Sequence, residues 1–297
     1  MTPTARVAAQ AKINLLLRVL ARESSGYHSI ETIFQRIDLA DDVAVRITTG
    51  RALDCAGPAM PAAGIGPMER NLAYRAAIAY ADATGWPTGF AIEIVKRIPV
   101  GGGLGGGSAD AGAVLRALDV LSPRPIGAAL VELAAPLGAD VPFMTVEHST
   151  ALGWGRGERL MPLSTPPSRP VVLLVPDFSI PTRDAYLWVA EERGLYAPTA
   201  SVLPAGATAD WDAVARVAVN DFQPVVARPH PEIAELVDEL RAAGATVALL
   251  AGSGSSVFGV FDAPPDAAAI ARSAGVSAIT TRTSDAVARV VRAELDR

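Results

Sequence analysis

The first part of the chain alternates apolar and polar residues with the period of a β-strand. This pattern runs from Arg6 to Leu20 and places Lys12 and Asn14 on one face, with aliphatic residues on the other. Residues 41–49 alternate in the same way, and Phe90–Val95 is a further short run of this kind. These three segments predict strands of a half-buried sheet.

Residues 50–67 are rich in Gly, Pro and Ala, which favours a loop or a long hairpin connection. Apolar residues recur at helical spacing in several other segments. They predict helices at 70–84, Ala185–Arg193, Trp211–Val219, Pro231–Ala243, 267–275 and 285–295. Short apolar runs at 171–176, 247–251 and 276–281 predict buried strands between the later helices. The mixture indicates an α/β or α+β protein.

A proline-rich segment at 161–170 interrupts these elements and is the best candidate for a domain boundary. The length of 297 residues also favours about two domains. We therefore predict an N-terminal domain over residues 1–160 and a C-terminal domain over residues 161–297.

Composition narrows the class of protein. Half of the residues are hydrophobic, so the chain can bury a large core, and its net charge of −5 does not favour a nucleic-acid partner. The single cysteine, Cys55, cannot form an internal disulfide, which is typical of a reducing compartment. The N-terminus has no signal-peptide pattern and no run long enough to span a membrane, so we expect a cytoplasmic protein without a membrane partner.

The two lysines are a sharper feature. All other basic residues are arginines, and only Lys12 and Lys96 carry a compact ammonium group. Codon bias with chance survival of two lysines is one explanation, and a specific need for an ammonium at these positions is the other.

The segment Pro99–Gly112, PVGGGLGGGSADAG, carries the strongest chemical indication. Glycines allow backbone N–H groups to point together at one ligand, and the following apolar pattern predicts a helix with Ser108 as its N-cap. Free N–H groups and the helix dipole would then favour a bound phosphate. The segment lacks the lysine of a P-loop and the acidic residue of a Rossmann fingerprint. A flexible linker would not join a hydrophobic strand directly to an amphipathic helix.

Other segments carry motifs that narrow the class of phosphate-binding protein. They are AKINLLLRV from Ala11, GYHSIETIFQRIDLADDV from Gly26, RNLAYRAA from Arg70, LGADVPF from Leu137, SIPTRDAY from Ser179, NDFQPVV from Asn220 and AGSGSSVFG from Ala251. In this order they resemble the GHMP small-molecule kinases, and among these the kinases that act in the non-mevalonate isoprenoid pathway. The resemblance implies an α+β fold of two domains, the first like domain 2 of ribosomal protein S5 and the second ferredoxin-like.

The implied reaction is ATP-dependent phosphorylation of the 2-hydroxyl of 4-diphosphocytidyl-2-C-methyl-D-erythritol. Asp140 of the motif GADVPF matches the catalytic base of the family, although an aspartate before such a turn is often only a helix cap. Lys12 matches the lysine that contacts the base and the transferred phosphate. Asn14 would hydrogen-bond the substrate or the phosphate.

The resemblance also assigns the ATP site, with Mg²⁺ as the accompanying ion and its ligands unknown. Asn71 and Lys96 would lie near the adenine, and Ser108 would contact the phosphates or the ion. The full set is Asn71, Lys96, Pro99, Gly101, Gly102, Gly103, Leu104, Gly105, Gly106, Gly107 and Ser108.

For the cytidine end, the resemblance implies stacking of the base between Tyr27 and Tyr186 and recognition of its edge by His28. Ordinary half-buried aromatics would look the same in the sequence. Thr182, Gly252 and Gly254 complete the expected substrate site. The chain departs from the family at Ala251, where members commonly carry Ser or Thr, and this puts one substrate contact in doubt.

Three other functions are compatible with parts of this pattern. Another GHMP kinase, acting on homoserine or a mevalonate derivative, would not need Tyr27, His28 or Tyr186. A non-catalytic sensor would not need both Lys12 and Asp140, and an RNA-binding module is opposed by the acidic balance of charge. The oligomeric state does not follow from the sequence.

Overall fold

The computed structural model describes residues 3–22, 28–193, 203–270, 273 and 275–294. The strands are β1 (Pro3–Arg22), β2 (His28–Ile47), β3 (Arg51–Ala56), β4 (Phe90–Val95), β5 (Thr150–Gly155), β6 (Arg159–Pro162), β7 (Pro170–Pro176), β8 (Val219–Asn220), β9 (Val247–Leu250), β10 (Val257–Val260), β11 (Val276–Arg282) and β12 (Val291–Glu294). The helices are α1 (Leu72–Thr84), α2 (Gly106–Leu121), α3 (Leu130–Ala134), α4 (Val141–Thr145), α5 (Thr182–Arg193), α6 (Trp211–Val217), α7 (Phe222–Ala227), α8 (Glu232–Ala242) and α9 (Ala267–Ile270), with 3₁₀ turns at Met68–Arg70 and Gly127–Ala129. None of these helices is long and apolar enough to cross a membrane.

The first sheet is built around the two long antiparallel strands β1 and β2, in the order β12-β1-β2-β4-β3. Strand β5 pairs with the other part of β2 and continues to β6, while the short β8 runs parallel to β1. The helix α2 is buried along most of its length and shares one apolar core with β1, β2, β4 and α1. The predicted apolar stripe of α2, with Val114, Leu118 and Leu121, is confirmed.

Strand β1 departs from regular pairing on both sides of a three-residue segment, Lys12–Asn14. Its register with β2 shifts between Gln10 and Lys12 and again between Asn14 and Leu16. Such irregularities bend a strand and change the direction of its side chains, and they occur often next to active sites. Here they lie on either side of two predicted site residues.

The second sheet has the order β11-β7-β10-β9 and separates two apolar cores. Alternate residues of β7 explain its unbroken apolar sequence: Val171 and Leu173 join the first core, whereas Val172 and Leu174 join a second core with α5, α7 and α8. A strand covered on both faces needs an apolar residue at every position.

Most predicted elements are present, and two predictions are wrong. Within residues 50–67, Arg51–Ala56 forms an edge strand parallel to β4, because pairing satisfies backbone groups that the local composition does not reveal. Within residues 285–295, Val291–Glu294 is a strand, not a helix, since it pairs with Pro3–Arg6 at the edge of the first sheet. The division at residue 160 stays a prediction, and both β8 and β12 add to the first sheet from beyond it.

Candidate active site

The glycine segment between β4 and α2 forms a tight loop in which side chains would not fit. Gly101, Gly103 and Gly105 have φ between +73° and +80°, a range that favours glycine. A Cβ on Gly103 would lie 1.9 Å from the carbonyl oxygen of Ala251, and one on Gly102 would lie 2.4 Å from the hydroxyl of Ser256. The loop therefore exposes backbone to the cavity while it packs directly on the later glycine turn, residues 251–256.

Helix α2 starts immediately after this loop, and its start differs from the sequence prediction. Gly105 is the N-cap, and its carbonyl accepts a hydrogen bond from Ala109 N–H, so Ser108 lies inside the first turn instead of capping it. The predicted cap is wrong because the left-handed Gly105 turns the chain into the helix earlier. The free N–H groups of a 16-residue helix still face the loop, as an anion site requires.

Lys12 is tied to the glycine loop by both its backbone and its side chain. Its N–H donates to the carbonyl of Leu104 (3.1 Å), and Nζ donates to the carbonyl of Gly103 (2.9 Å) and to Asn14 Oδ1 (2.8 Å). Only 3% of Lys12 is exposed. The prediction that Lys12 and Asn14 share a face is confirmed by their direct hydrogen bond.

Asp140 approaches the same ammonium group. Its Oδ2 lies 3.4 Å from Lys12 Nζ, and 28% of its side chain is exposed. Asp140 precedes α4, but its side chain makes no cap hydrogen bond, so the carboxylate is not used to start the helix. The guanidinium of Arg36 donates to the carbonyls of Phe143, Val146 and His148, and it thereby fixes the chain that follows Asp140.

Lys96, the second lysine, lies next to the start of α2 in a buried cluster of charges, and a Cβ on Gly106 would be 3.5 Å from its Nζ. Its ammonium donates to Asp110 Oδ2 (2.7 Å) and forms a short ion pair with Asp41 Oδ2. Asp41 Oδ1 accepts the backbone N–H groups of Arg97 and Ile98, which lead into the glycine loop. The cluster therefore connects the strand before the loop with the helix after it.

This cluster holds two carboxylates and one ammonium, so it has an excess negative charge in a buried place. Asp110 Oδ1 has no hydrogen-bond partner, whereas Asp41 is fully bonded. Burial and the neighbouring Asp41 raise the pKa of Asp110 to about 7, against the opposing effect of Lys96. The pKa of Lys96 is raised too, because the attraction of the two carboxylates exceeds the cost of burial. Asp110 is therefore the carboxylate of this cluster whose pKa is raised above that of an ordinary aspartate.

The later glycine turn closes the site from the other side. A Cβ on Gly252 would lie 3.3 Å from Lys12 Nζ, and Gly254 also lines the cavity. The buried amide of Asn220 donates to the carbonyls of Leu250 and Gly252 and holds the turn in place. Ala251 is fully buried and packs in the first core, so a hydroxyl at this position would not face the cavity.

Aromatic side chains line the end of the cavity near α5. Tyr186 stacks on His28 at 5.2 Å between ring centroids and meets Phe222 edge-on at 4.8 Å. Burial, and to a lesser degree the charge of Asp140, raises the pKa of the Tyr186 phenol to about 12, so it stays neutral at physiological pH. Thr182 and Ser253 hydrogen-bond through their hydroxyls at 3.0 Å. The predicted residue Tyr27 lies outside the described residues.

One cavity of about 1630 Å³ connects these parts. A site for a single small molecule has roughly 300–1,000 Å³, so this space accommodates two ligands. The predicted residues that line it are Lys12, Asn14, His28, Asn71, Lys96, Pro99, Gly101, Gly102, Gly103, Leu104, Gly105, Gly106, Gly107, Ser108, Asp140, Thr182, Tyr186, Gly252 and Gly254. Asn71 uses its side-chain oxygen to cap α1, which leaves its amide group as the donor for a ligand.

Sequence reasoning missed several residues that organise the site. Asp41 lies in the motif that starts at Gly26, and Asn220 lies in the motif NDFQPVV. Nothing in these motifs shows that Asp41 binds Lys96 or that Asn220 holds the later glycine turn. Ser253 lies between two predicted glycines and also lines the cavity. The signal that could have found Asp41 and Asp110 is the position of Lys96 directly after an apolar strand, since a buried ammonium requires carboxylate partners.

The fold and the site define a kinase of the GHMP class. The model of the GHMP kinases N terminal domain matches residues 71–148, and that of the GHMP kinases C terminal region matches residues 203–276. A crystal structure of homoserine kinase from Cytophaga hutchinsonii, at 16% identity, covers 97% of both chains with a TM-score of 0.69, which shows a common fold.

The proteins with higher sequence identity to this chain share one name. The 4-diphosphocytidyl-2-C-methyl-D-erythritol kinase of Pelotomaculum thermopropionicum is 40% identical over 256 residues, 85% of this chain and 87% of that protein. The protein of the same name from Geobacter sp. (strain M21) is 37% identical over 94% of this chain and 98% of its own. A crystal structure of 4-(cytidine 5'-diphospho)-2C-methyl-D-erythritol kinase, at 36% identity, covers 94% and 99% of the two chains with a TM-score of 0.75. The chain belongs to the family of 4-diphosphocytidyl-2-C-methyl-D-erythritol kinases.

Proposed function

We propose that this protein transfers the γ-phosphoryl group of ATP to the 2-hydroxyl of 4-diphosphocytidyl-2-C-methyl-D-erythritol. The observation that carries the proposal is the convergence of Lys12 Nζ on Asp140 (3.4 Å) and on the carbonyl of Gly103 (2.9 Å). A base, a cation and a phosphate-binding loop thereby meet at one point of a cavity large enough for two substrates. The names of the family relatives supply the particular acceptor.

Asp140 is the proposed base. Its carboxylate takes the proton of the acceptor hydroxyl as the oxygen bonds to the γ-phosphorus, and the bond between that phosphorus and the oxygen of the leaving ADP breaks. Asp140 is partly exposed to the cavity, so an acceptor can reach it without displacing the surrounding chain.

Lys12 is the proposed electrostatic partner. Its ammonium lowers the cost of negative charge on Asp140 before transfer and on the phosphoryl oxygens during transfer. Burial strengthens both effects, because water screens the charge less in such a place.

The glycine loop and the N-terminus of α2 are proposed to bind the ATP phosphates, with Asn71 near the adenine. We also propose that Mg²⁺ accompanies ATP. Among the described residues no group of three or more His, Cys, Asp or Glu side chains is arranged to hold a metal ion. The ion would be bound mainly by the phosphates of ATP, and the hydroxyl of Ser108, which lines the cavity, would supply a protein oxygen. When bound, it would neutralise phosphate charge.

The aromatic end of the cavity is proposed to bind cytosine. Tyr186 offers a flat, neutral ring on a helix whose first turn carries Thr182, and His28 lies against it. Tyr27 remains the predicted second wall. Stacking provides affinity, and hydrogen bonds to the edge of the base provide discrimination.

The test is an assay of ADP release with the cytidine substrate, run beside homoserine and mevalonate. We expect turnover with the first alone and competition by cytidine 5'-diphosphate. For Asp140→Asn we expect kcat to fall about 100- to 10,000-fold, the range for removal of a general base, with ATP binding by calorimetry retained.

Two results would contradict the proposal. Turnover of homoserine or mevalonate in place of the cytidine substrate would reject the acceptor. An unchanged kcat in Asp140→Asn would reject the base. Asp184→Asn, in the first turn of α5 and without a proposed role, is the control for the loss of a carboxylate.

A further inference from the structure

A chain of hydrogen bonds leads from the backbone of β1 to the ammonium of Lys12. The hydroxyl of Thr32 donates to the carbonyl of Leu16 at 2.8 Å. Asn14 Nδ2 donates to the same hydroxyl oxygen at 2.8 Å, and Lys12 Nζ donates to Asn14 Oδ1 at 2.8 Å. All three side chains are buried, Thr32 completely.

The direction of each bond follows from what its partner can do. A carbonyl oxygen only accepts, so the single proton of Thr32 is used by Leu16, and the hydroxyl oxygen is left as an acceptor. The Asn14 amide must then turn its NH₂ group to Thr32 and its oxygen to Lys12. An ammonium only donates, so this is also the one amide orientation that Lys12 can use.

The rotamer of Thr32 is fixed as well. Thr32 lies opposite Gly153 on strand β5, and a Cβ on that glycine would be 3.2 Å from the Thr32 methyl group. The methyl therefore occupies the space next to Gly153, and the hydroxyl points to the irregular part of β1. A β-branched residue with few χ1 choices suits this role.

The ammonium of Lys12 has three N–H groups: it donates to Asn14 Oδ1 and to the carbonyl of Gly103, and it forms an ion pair with Asp140 Oδ2 at 3.4 Å. The first acceptor fixes the direction of the other two N–H groups, toward the glycine loop and toward the base. An inverted amide would place NH₂ against the ammonium and push it away from Asp140.

We propose that Thr32 is a positioning residue of the phosphoryl transfer, which acts through Asn14 to hold the Lys12 ammonium between the glycine loop and Asp140. The inference rests on the proposed function. It also assigns the side chain of Asn14 to Lys12 in the ligand-free protein.

The test compares two substitutions that each remove one of the two groups on the Cβ of Thr32. Thr32→Val keeps the shape and the methyl group but removes the hydroxyl, whereas Thr32→Ser keeps the hydroxyl and removes the methyl group. We expect kcat of Thr32→Val to fall by up to about 100-fold, as for a misplaced catalytic group, with the KM for ATP within about twofold of the wild type. Thr32→Ser should restore most of kcat, although it packs less well.

A double-mutant cycle with Asn14→Ala separates positioning from simple destabilisation. If Thr32 acts through Asn14, the variant with both changes loses no more kcat than Asn14→Ala alone. Multiplicative losses of kcat would overturn the proposal. Unfolding by urea, measured on each variant, identifies any loss that comes from a smaller folded fraction.

A second measurement does not depend on activity. Because the chain has only two lysines, ¹³C labelling at Cε of lysine gives two signals, which Lys12→Met assigns. Thr32→Val should shift the Lys12 signal and leave the Lys96 signal in place. In Thr32→Ser the Lys12 signal should return to its wild-type position. An unmoved Lys12 signal would overturn the positioning role even if the wild type fails to phosphorylate the cytidine substrate, a failure that would count against the proposed function alone.

Discussion

The two lysines of this protein both lie next to the glycine loop, but their surroundings differ. Lys12 donates to an amide and a carbonyl and forms an ion pair with Asp140, a carboxylate with 28% of its side chain exposed. Lys96 lies between Asp41 and Asp110, whose side chains are almost completely buried. Both lysines are themselves 3% exposed, so burial of the lysine does not distinguish them.

The difference lies in the partner carboxylates. A carboxylate that is partly exposed can exchange its neighbours for a substrate, whereas Asp41 is buried and accepts two backbone N–H groups that lead into the glycine loop. We infer that Lys12 serves the reaction and that Lys96 mainly serves the shape of the loop. The predicted contact of Lys96 with ATP stays a prediction, and its ammonium would have to share its bonds with two carboxylates.

The largest effect is expected for Lys96→Met. This change leaves two buried carboxylates without their cation, and breaking a buried ion pair costs about 3–5 kcal/mol. The free energy of unfolding, measured in urea, should fall by that amount. A loss similar to that of an exposed ion pair, about 0–1 kcal/mol, would show that Lys96 does not have the structural role that distinguishes it from Lys12.

Lys12→Met should affect the rate more than the stability. Removal of one preorganised donor to developing charge costs about 100- to 1,000-fold in kcat. Its partner Asp140 stays in contact with the cavity, so we expect the unfolding free energy to change less than in Lys96→Met. Each lysine variant is the control for the other, and equal losses of stability would show that both lysines are structural.

A third effect concerns the pH dependence of stability. The pKa of Asp110 is raised from 3.8 to about 7 in the folded protein, so between these values the folded state binds a proton that the unfolded chain releases. The stability contributed by this group is therefore complete below pH 3.8 and is lost as the pH rises through about 7.

Asp110→Asn should remove this part of the pH dependence. The difference in unfolding free energy between wild type and variant, measured from pH 4 to pH 8, should change in favour of the variant as the pH rises. Asp41→Asn is the comparison, because that side chain also accepts two backbone N–H groups and should cost more at every pH. A difference that does not vary with pH would show that Asp110 stays ionised.

Much of the fold could be predicted because apolar periodicity is a local property. The helix at 70–84 and the strand Phe90–Val95 follow from it directly. The wrong predictions at 51–56 and 291–294 have a common cause, since both are edge strands whose hydrogen bonds come from distant segments. The wrong prediction of the N-cap of α2 has a different cause. The helix starts at Gly105 in the left-handed region, and a glycine has no side chain that would mark a cap in the sequence.

By itself, the sequence determined the class of chemistry: a glycine loop for phosphate, two lysines in place of arginines, and an aspartate in a turn. The resemblance implied that Lys12 contacts Asp140, but tertiary structure alone decided that Lys96 meets Asp41 and Asp110, because these two are ordinary acidic residues in the sequence. The energy of a charge depends on its burial and on its neighbours within a few ångströms, and neither is a property of the linear order of residues. The same reasoning applies to Thr32, whose hydroxyl has a role only because β1 bends beside it.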